Sequence, residues 1–210
     1  MHYLLCTQII KTILRSDALL NVNQIRNTIM KKTFLTLLTA ILISASCFAQ
    51  TFTLKSNDVG GQATKEQVFN SFGCTGNNKS PQLSWANVPE GTQSFAVTMY
   101  DPDAPTGSGW WHWVVFDIPA TEKDLKQSAG NLSLNLAPKG AIQSNTDFGQ
   151  PGYGGPCPPE GHGFHQYIIT VYALKTAKLG LDKTATPAMV GYNLNFNTLA
   201  KASLVMYYKR

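Results

Sequence analysis

Short apolar runs bounded by turn-forming residues dominate the chain from about residue 50 onward. Most are rich in β-branched and aromatic side chains and are flanked by Gly, Pro, Asn or Asp, which is typical of β-strands. The predicted strands span residues 51–54, 82–85, 95–100, 113–118, 167–174 and 203–208, with a further short strand near 141–144. The rest of residues 119–150 is polar and is predicted to be mostly loop.

Loops, and not regular amphipathic helices, separate most of these strands. This organisation favours a mainly β fold, a two-sheet antiparallel β-sandwich, over a parallel βαβ sheet. A few short helices are expected, one of them near the C-terminus over residues 187–201, where Pro187 suits the first turn and apolar residues follow. No internal repeat or Gly/Ser linker interrupts residues 50–210, so this region is predicted to be a single domain.

The residues before the first strand follow a different pattern. Two lysines at positions 31 and 32 precede an apolar run over 34–43, and small residues follow up to Ala49. These are the three parts of a secretory signal peptide over residues 30–49, with cleavage predicted between residues 49 and 50. The apolar run is short for a bilayer, so a retained membrane helix is the weaker alternative, and no transmembrane segment is expected after cleavage.

Residues 1–29 carry no clear pattern, and a signal peptide works at an N-terminus. Met1 is therefore interpreted as a misassigned upstream start and Met30 as the true one. The predicted product is exported, either to the periplasm or out of the cell. Lipid attachment at Cys47 is a minor alternative, because the usual leucine three residues before such a cysteine is missing.

The positive charge of the chain lies largely in this leader. The formal net charge is +5, but five of the lysines and arginines and only one acid precede residue 50. The remainder is close to neutral, so the basic isoelectric point is no argument for nucleic acid as a partner.

Two cysteines, Cys74 and Cys157, remain after the predicted cleavage. An even number in an oxidising compartment is compatible with one disulfide, which would close a long loop. Two separate thiols are the alternative, and the cysteine count does not decide between them.

Two chemically dense segments lie next to predicted strands. The first reads Asp-Pro-Asp-Ala-Pro and then Trp-Trp-His-Trp, and the second Gly-Tyr-Gly-Gly-Pro-Cys-Pro-Pro and then His-Gln-Tyr, at residues 101–105, 110–113, 152–159 and 165–167. Prolines restrict the backbone around Asp101 and Asp103. Strand alternation predicts that His165 and Tyr167 project to one face. Each segment also has an ordinary structural interpretation. The first could be a turn in which Asp caps backbone amides, and the second could be a hairpin loop of this composition.

His112 lies at the entry to a buried strand. Regular alternation from this residue predicts that it shares a face with Val114 and Phe116, while residues 111, 113 and 115 share the other face. A structural histidine that donates to a carbonyl is the simpler interpretation of this residue alone.

Taken together and in order, these segments resemble the signature segments of the phosphatidylethanolamine-binding protein family, also called Raf kinase inhibitor-like proteins, in its bacterial branch. Residues 74–85, Cys-Thr-Gly-Asn-Asn-Lys-Ser-Pro-Gln-Leu-Ser-Trp, resemble the segment that precedes them there, and matching pieces extend from about residue 52 to the C-terminus. The resemblance implies a two-sheet β fold with a small anion-binding pocket near one end. The family's second name suggests a protein partner, although an exported protein does not meet the cytosolic kinases of its own cell.

Carried over by motif, the resemblance implies a set of ligand-binding residues. Four match pocket residues, one is a wall and one is a supporting acid: Asp101, His112, His165 and Tyr167, then Trp110, then Asp103. Gln166 departs from many relatives, which have Arg between the His and the Tyr. Because neighbours on a strand face opposite ways, this change is expected to affect the supporting side more than the pocket.

The chemistry of these residue types agrees with a phosphate-containing small molecule or a phospholipid headgroup as ligand. Two imidazoles and the tyrosine hydroxyl can donate to anionic oxygens, glycine-rich backbone can add amide donors, and Asp101 can orient an imidazole. The predicted function is a non-enzymatic binding protein without a cofactor. Its affinity is expected to weaken above the titration range of histidine.

A metal-dependent hydrolase is the alternative function, because the acids and histidines of this set offer oxygen and nitrogen ligands to a divalent ion. No His-x-x-x-His pattern or metal-binding cysteine cluster supports it. A serine or cysteine hydrolase is weaker still, since Ser108 lacks a nucleophile-elbow pattern and Cys157 lies between prolines.

Overall fold

The computed structural model describes residue 24, residues 26–34, residue 36 and residues 50–210. The chain divides into two units, Met1–Gln50 and Thr51–Arg210. In the first unit, residues 26–34 are helical. Most of the predicted signal peptide, with its cleavage site and Cys47, lies outside the described residues, so the predicted start, leader and domain bounds stay predictions. Within the described ranges, no helix combines the length and apolar character that a membrane span requires.

Two antiparallel sheets form the second unit, as the strand pattern predicts. The elements in chain order are β1 (Thr53–Lys55), β2 (Leu83–Ala86), β3 (Ser94–Asp101), β4 (Trp110–Pro119), β5 (Asp124–Leu125), a short 3-10 turn (Leu132–Leu134), β6 (Ile142–Gln143), β7 (His165–Leu174), α1 (Pro187–Asn197) and β8 (Thr198–Tyr208). The smaller sheet has the strand order β1-β2-β5, and the larger sheet has the order β6-β4-β3-β7-β8.

The main core lies between the two sheets. Alternate residues of β3 and β7 point into it and are fully buried, among them Phe95, Met99, Tyr167 and Ile169. Helix α1 covers the opposite face of the larger sheet with Val190 and Leu194. Because both faces of the central strands are buried, their sequences read as continuous apolar runs without clear alternation.

The bounds of α1 and β8 differ from the prediction. Helix α1 begins where expected, with the Thr186 hydroxyl accepting from the amide of Met189 as its N-cap, but it ends at Asn197 and not at 201. Strand β8 begins at Thr198 and pairs with β7 from Leu174 to His165. The long edge of β7 supplies backbone partners for residues 198–202, and this tertiary pairing outweighs their weak helical pattern.

Candidate functional site

A pocket lies at one end of the inner face of the larger sheet, where β3 ends and where β4 and β7 begin. Five of the predicted site residues line this one cavity of about 160 Å³: Asp101, Trp110, His112, His165 and Tyr167. Asp103 does not line it. Its carboxylate accepts a 2.8 Å hydrogen bond from the backbone amide of Gln166, so it supports the pocket by tying the end of β3 to β7.

A β-bulge in β4 brings His112 to the pocket. Tyr100 pairs with Trp111 and Met99 pairs with Trp113, so His112 is the extra residue on its strand. Its ring therefore lies on the inner face, 5.1 Å from the ring of Tyr167.

The prediction of regular alternation from His112 was wrong. Val114 and Phe116 pack on the outer face beneath α1, together with Trp111, while Trp113 belongs to the inner core. The bulge reverses the side on which the residues before it project, and nothing in the apolar pattern of residues 110–118 marks its position.

Burial fixes the protonation state of His112. Desolvation lowers the pKa of this imidazole to about 4, although its hydrogen bond to Gly154 opposes the shift. The Nδ1 atom lies 2.7 Å from the Gly154 carbonyl oxygen, which only accepts, so Nδ1 carries the single proton. The Nε2 atom is then an acceptor, and the expectation that both imidazoles donate to an anion does not hold for this residue at neutral pH.

Asp101 and His165 form a buried pair at the base of the pocket. One carboxylate oxygen of Asp101 accepts from His165 Nδ1 at 2.8 Å, and the other accepts from the amide of Asp103 at 2.8 Å. Both side chains are almost inaccessible to solvent, with 3% of Asp101 and 1% of His165 exposed. Asp101 thus orients the imidazole, as the sequence predicts, and leaves only His165 Nε2 for another partner.

The hydroxyl of Tyr167 is buried and has no hydrogen-bond partner among the described residues. Burial raises the pKa of this phenol above its usual value, and the nearby Asp101 carboxylate, which approaches the hydroxyl without meeting the geometry of a hydrogen bond, raises it further, so the hydroxyl keeps its proton. A buried hydroxyl without a partner costs about 1–3 kcal/mol. An acceptor on a ligand in the pocket would remove this cost.

Aromatic side chains and prolines form the apolar walls. The ring of Phe148 packs edge to face on Trp110 at 5.4 Å and on His112 at 5.3 Å, and Phe72, Pro105, Pro158 and Pro159 complete the wall. Sequence reasoning found Trp110 and the prolines but missed both phenylalanines. Phe72 lies in a loop well before the first dense segment and Phe148 lies just before the second, and no local pattern distinguishes either residue.

The glycines at 154 and 155 serve packing more than ligand recognition. The amide of Gly154 donates to the His112 carbonyl at 2.9 Å, and that of Gly155 donates to the Asn78 side chain at 2.8 Å. Neither of these two amides is available to a ligand, so they do not supply the backbone donors expected from this loop. The close approach of the chain to residues 67–69 is what requires Gly155.

The structure pairs Cys74 with Cys157 in a disulfide. The sulfur atoms are 2.07 Å apart, the Cα atoms are 6.0 Å apart, and the bond joins positions separated by 83 residues. Because Cys157 lines the pocket, the bridge ties one pocket wall to the loop around residue 74.

No group of three or more His, Cys, Asp or Glu side chains is arranged to hold a metal ion in the part of the chain that the structure describes. The four residues named for the hydrolase alternative instead bond to protein groups. Asp101 and His165 bond to each other, His112 bonds to a carbonyl and Asp103 to an amide.

Comparisons with known proteins agree with this architecture. The family model for phosphatidylethanolamine-binding protein matches residues 59–209. UPF0098 protein YbcL of Escherichia coli (strain K12) is 48% identical over 180 residues, which cover 85% of this chain and 98% of that protein. UPF0098 protein YbhB of the same strain is 50% identical over 153 residues, covering 72% of this chain and 96% of YbhB.

A solved structure extends the likeness to the fold. The crystal structure of Escherichia coli YbcL, described as a new member of the mammalian PEBP family, matches with a TM-score of 0.75 at 50% identity and covers 77% of this chain and 99% of that chain. A PEBP homologue from Chlamydia trachomatis matches with a TM-score of 0.63 at 26% identity and covers 76% of this chain and 98% of that chain. With a family model and close relatives that span most of its length, this chain belongs to the phosphatidylethanolamine-binding protein family.

Proposed function

We propose that this protein binds, without chemical conversion, a phosphate-type small molecule or a phospholipid headgroup in the pocket around Tyr167. The observation that carries the proposal is the Tyr167 hydroxyl. It is a buried donor with no hydrogen-bond partner among the described residues, and Tyr167 lines the cavity. An anionic oxygen is the acceptor that such a donor binds most strongly.

The other polar atoms of the pocket restrict which charge states of a ligand can bind. Neutral His112 offers an acceptor nitrogen, and Asp101 contributes a buried carboxylate to the same cavity. A group with both anionic oxygens and acidic hydrogens satisfies this set, whereas a fully ionised dianion is repelled by Asp101. Dihydrogen phosphate, which is a monoanion, and a phosphate linked to an ammonium group, as in phosphoethanolamine, both have this character.

Isothermal titration calorimetry tests the proposal with O-phosphoethanolamine and inorganic phosphate as probes. The purified protein is expected to bind at least one probe with one-to-one stoichiometry, and Tyr167→Phe is expected to weaken binding at least tenfold. Tyr153→Phe is the matched control, because that buried hydroxyl donates to the Gln67 carbonyl at 3.1 Å and lies outside the pocket lining. No heat from either probe, or equal affinity in wild type and Tyr167→Phe, would refute the assignment.

We further propose that the protein works outside the cytoplasm, in the periplasm or beyond the cell. The signal-peptide pattern over residues 30–49 supports this placement, and the disulfide of the folded unit is of the kind that persists in oxidising compartments. Intact-mass measurement of the protein from an exporting host tests it. A mature chain that begins at Gln50 is expected; a chain that retains the leader argues against export, and a lipid-modified Cys47 supports the anchored alternative.

A further inference from the structure

The exposed His162 lies within hydrogen-bond distance of the second ring nitrogen of the buried pocket residue His165. His162 Nδ1 lies 2.9 Å from His165 Nε2, and the two ring centroids are 5.1 Å apart. Since Asp101 already binds Nδ1 of His165, Nε2 is the atom through which this residue can reach a ligand. In the structure, His162 is the partner of that atom.

The contact requires one proton between the two facing nitrogens. Asp101 only accepts, so His165 Nδ1 carries a proton in either charge state of the ring. If His165 is neutral, His162 Nδ1 must donate to Nε2; if His165 is charged, its Nε2 donates and His162 accepts. When both rings are protonated, two N–H groups and two positive charges face each other at 2.9 Å, and the contact becomes repulsive.

The segment that carries His162 is held by few bonds. Its amide donates to the Pro159 carbonyl at 3.2 Å, and the preceding amide donates to the Arg210 carbonyl at 3.4 Å. Gly161 and Gly163, which flank His162, have φ values of 75° and 87°, and no atom lies within 4 Å of a Cβ placed on either. The backbone on both sides of His162 is therefore loosely surrounded, and its glycines permit a change of conformation there.

We propose that His162 is a displaceable plug that blocks His165 Nε2 until an anionic ligand, or a second proton on the histidine pair, releases it. The ligand-dependent half of the proposal rests on the proposed phosphate-type binding, and the proton-dependent half rests on the histidine contact alone. An anionic oxygen bound to protonated His165 replaces a weaker bond between two rings with a charge-assisted one. The residue thereby sets how strongly the pocket holds its ligand and how this affinity varies with pH.

Other ionisable groups surround the pair and define its electrostatic setting. Asp101 and Asp103 come from the end of β3, His112 from β4, Tyr167 from β7, and Tyr208 pairs with His165 from β8. Lys209 lies over the Phe164 ring at 4.8 Å, and the Arg210 side chain binds the Phe72 carbonyl at 3.1 Å. Of these groups, Asp101 alone bonds directly to His165, which makes its carboxylate the main counterion of a charged ring.

Binding of O-phosphoethanolamine to His162→Ala tests the ligand-dependent half. Removal of a competing hydrogen bond is expected to raise affinity about two- to tenfold at pH 7.5, and the gain is expected to shrink at pH 5 if a second proton releases the contact as proposed. Glu160→Gln, an exposed change on the same loop, is the control and is expected to keep wild-type affinity. Unchanged or weaker binding by His162→Ala would overturn the proposal that His162 blocks His165 Nε2.

A second measurement needs no ligand. With ¹⁵N-labelled histidine, nuclear magnetic resonance is expected to detect scalar coupling across the hydrogen bond between His162 Nδ1 and His165 Nε2 at pH 7.5, and its loss at pH 5 and in His162→Ala. Absence of the coupling in the wild-type protein at pH 7.5 would overturn the contact itself. If no variant bound either phosphate probe, the binding proposal would fail, and this coupling would still decide the proton-controlled contact.

Discussion

A Cβ atom on Gly155 would lie 2.0 Å from the carbonyl oxygen of Gln67, closer than any real side chain approaches a backbone atom. The pocket loop and the segment at residues 67–69 are therefore in direct backbone contact, and both also contribute hydrogen bonds to this contact. Only a residue without a side chain allows it.

Gly155→Ala is expected to destabilise the fold by at least the 1–3 kcal/mol typical of overpacking, because a backbone carbonyl cannot move aside as a flexible side chain can. Urea unfolding followed by tryptophan fluorescence measures the loss. Gly191→Ala is the matched control: this glycine lies inside α1 with no atom within 4 Å of its added Cβ. That change is expected to stabilise the protein by about 0.5–1 kcal/mol, and equal effects of the two changes would contradict the packing argument.

Two buried tyrosines are expected to differ in what their hydroxyls contribute to stability. Tyr153→Phe removes a hydrogen bond to the Gln67 carbonyl and is expected to cost about 0.5–1.5 kcal/mol. Tyr167→Phe removes a hydroxyl without a partner among the described residues and is expected to leave stability unchanged or to raise it. The free energy of unfolding of the two variants, measured in the absence of phosphate, decides the matter; a clear loss in Tyr167→Phe would mean that its hydroxyl is bonded within the protein.

Acid is expected to weaken the fold partly through His112. Burial lowers the pKa of this residue to about 4, from 6.5 in an exposed histidine. Between these pH values the unfolded chain binds a proton that the folded protein excludes, so the free energy of unfolding falls as pH falls. The complete contribution, reached below pH 4, is on the order of 3 kcal/mol.

Urea unfolding at several pH values from 7.5 to 4 measures this contribution in wild type and in His112→Gln. The variant is expected to be less stable at pH 7.5 but to lose less stability on acidification. Parallel curves for wild type and His112→Gln would show that His112 is not a neutral, buried group.

Reduction of the disulfide is expected to destabilise the protein strongly. On the chain-entropy model, a bond that closes a loop of this length, 83 residues, contributes roughly 4–5 kcal/mol. The Cys74→Ser, Cys157→Ser double variant is expected to lose a stability of this order and also ligand affinity, because Cys157 lines the pocket. Two titratable thiols in the native, oxidised protein would contradict the bridge.

The fold class and the location of the pocket could be predicted because they depend on local signals. Strand runs such as 95–100 and 167–174 are bounded by turn residues, and the resemblance of the two dense segments to a known family identifies five residues that the structure brings together. The side of the sheet on which His112 lies could not be predicted. It depends on a one-residue bulge in the pairing of β3 with β4, which is a property of two strands and not of either sequence.

The parts of the site that sequence reasoning missed depend on how loops fold onto the pocket. Phe148 reaches the pocket from the loop after β6, and His162 meets His165 only because the glycine-flanked loop folds back on the start of β7. A histidine three residues before a pocket histidine was the one available signal. The protonation of His112 was also out of reach, since it follows from complete burial.

Asp101 and His165 are separated by 64 positions in the chain, and the disulfide joins positions still farther apart. Neither half of the pocket is complete without the other, so the pocket exists only when β7 is paired with β3. A nascent chain that ends before residue 165 lacks both His165 and Tyr167 and cannot form the complete pocket. Binding of the proposed ligand would therefore report the completed fold, and during folding such a ligand would stabilise only molecules that have already closed the sheet.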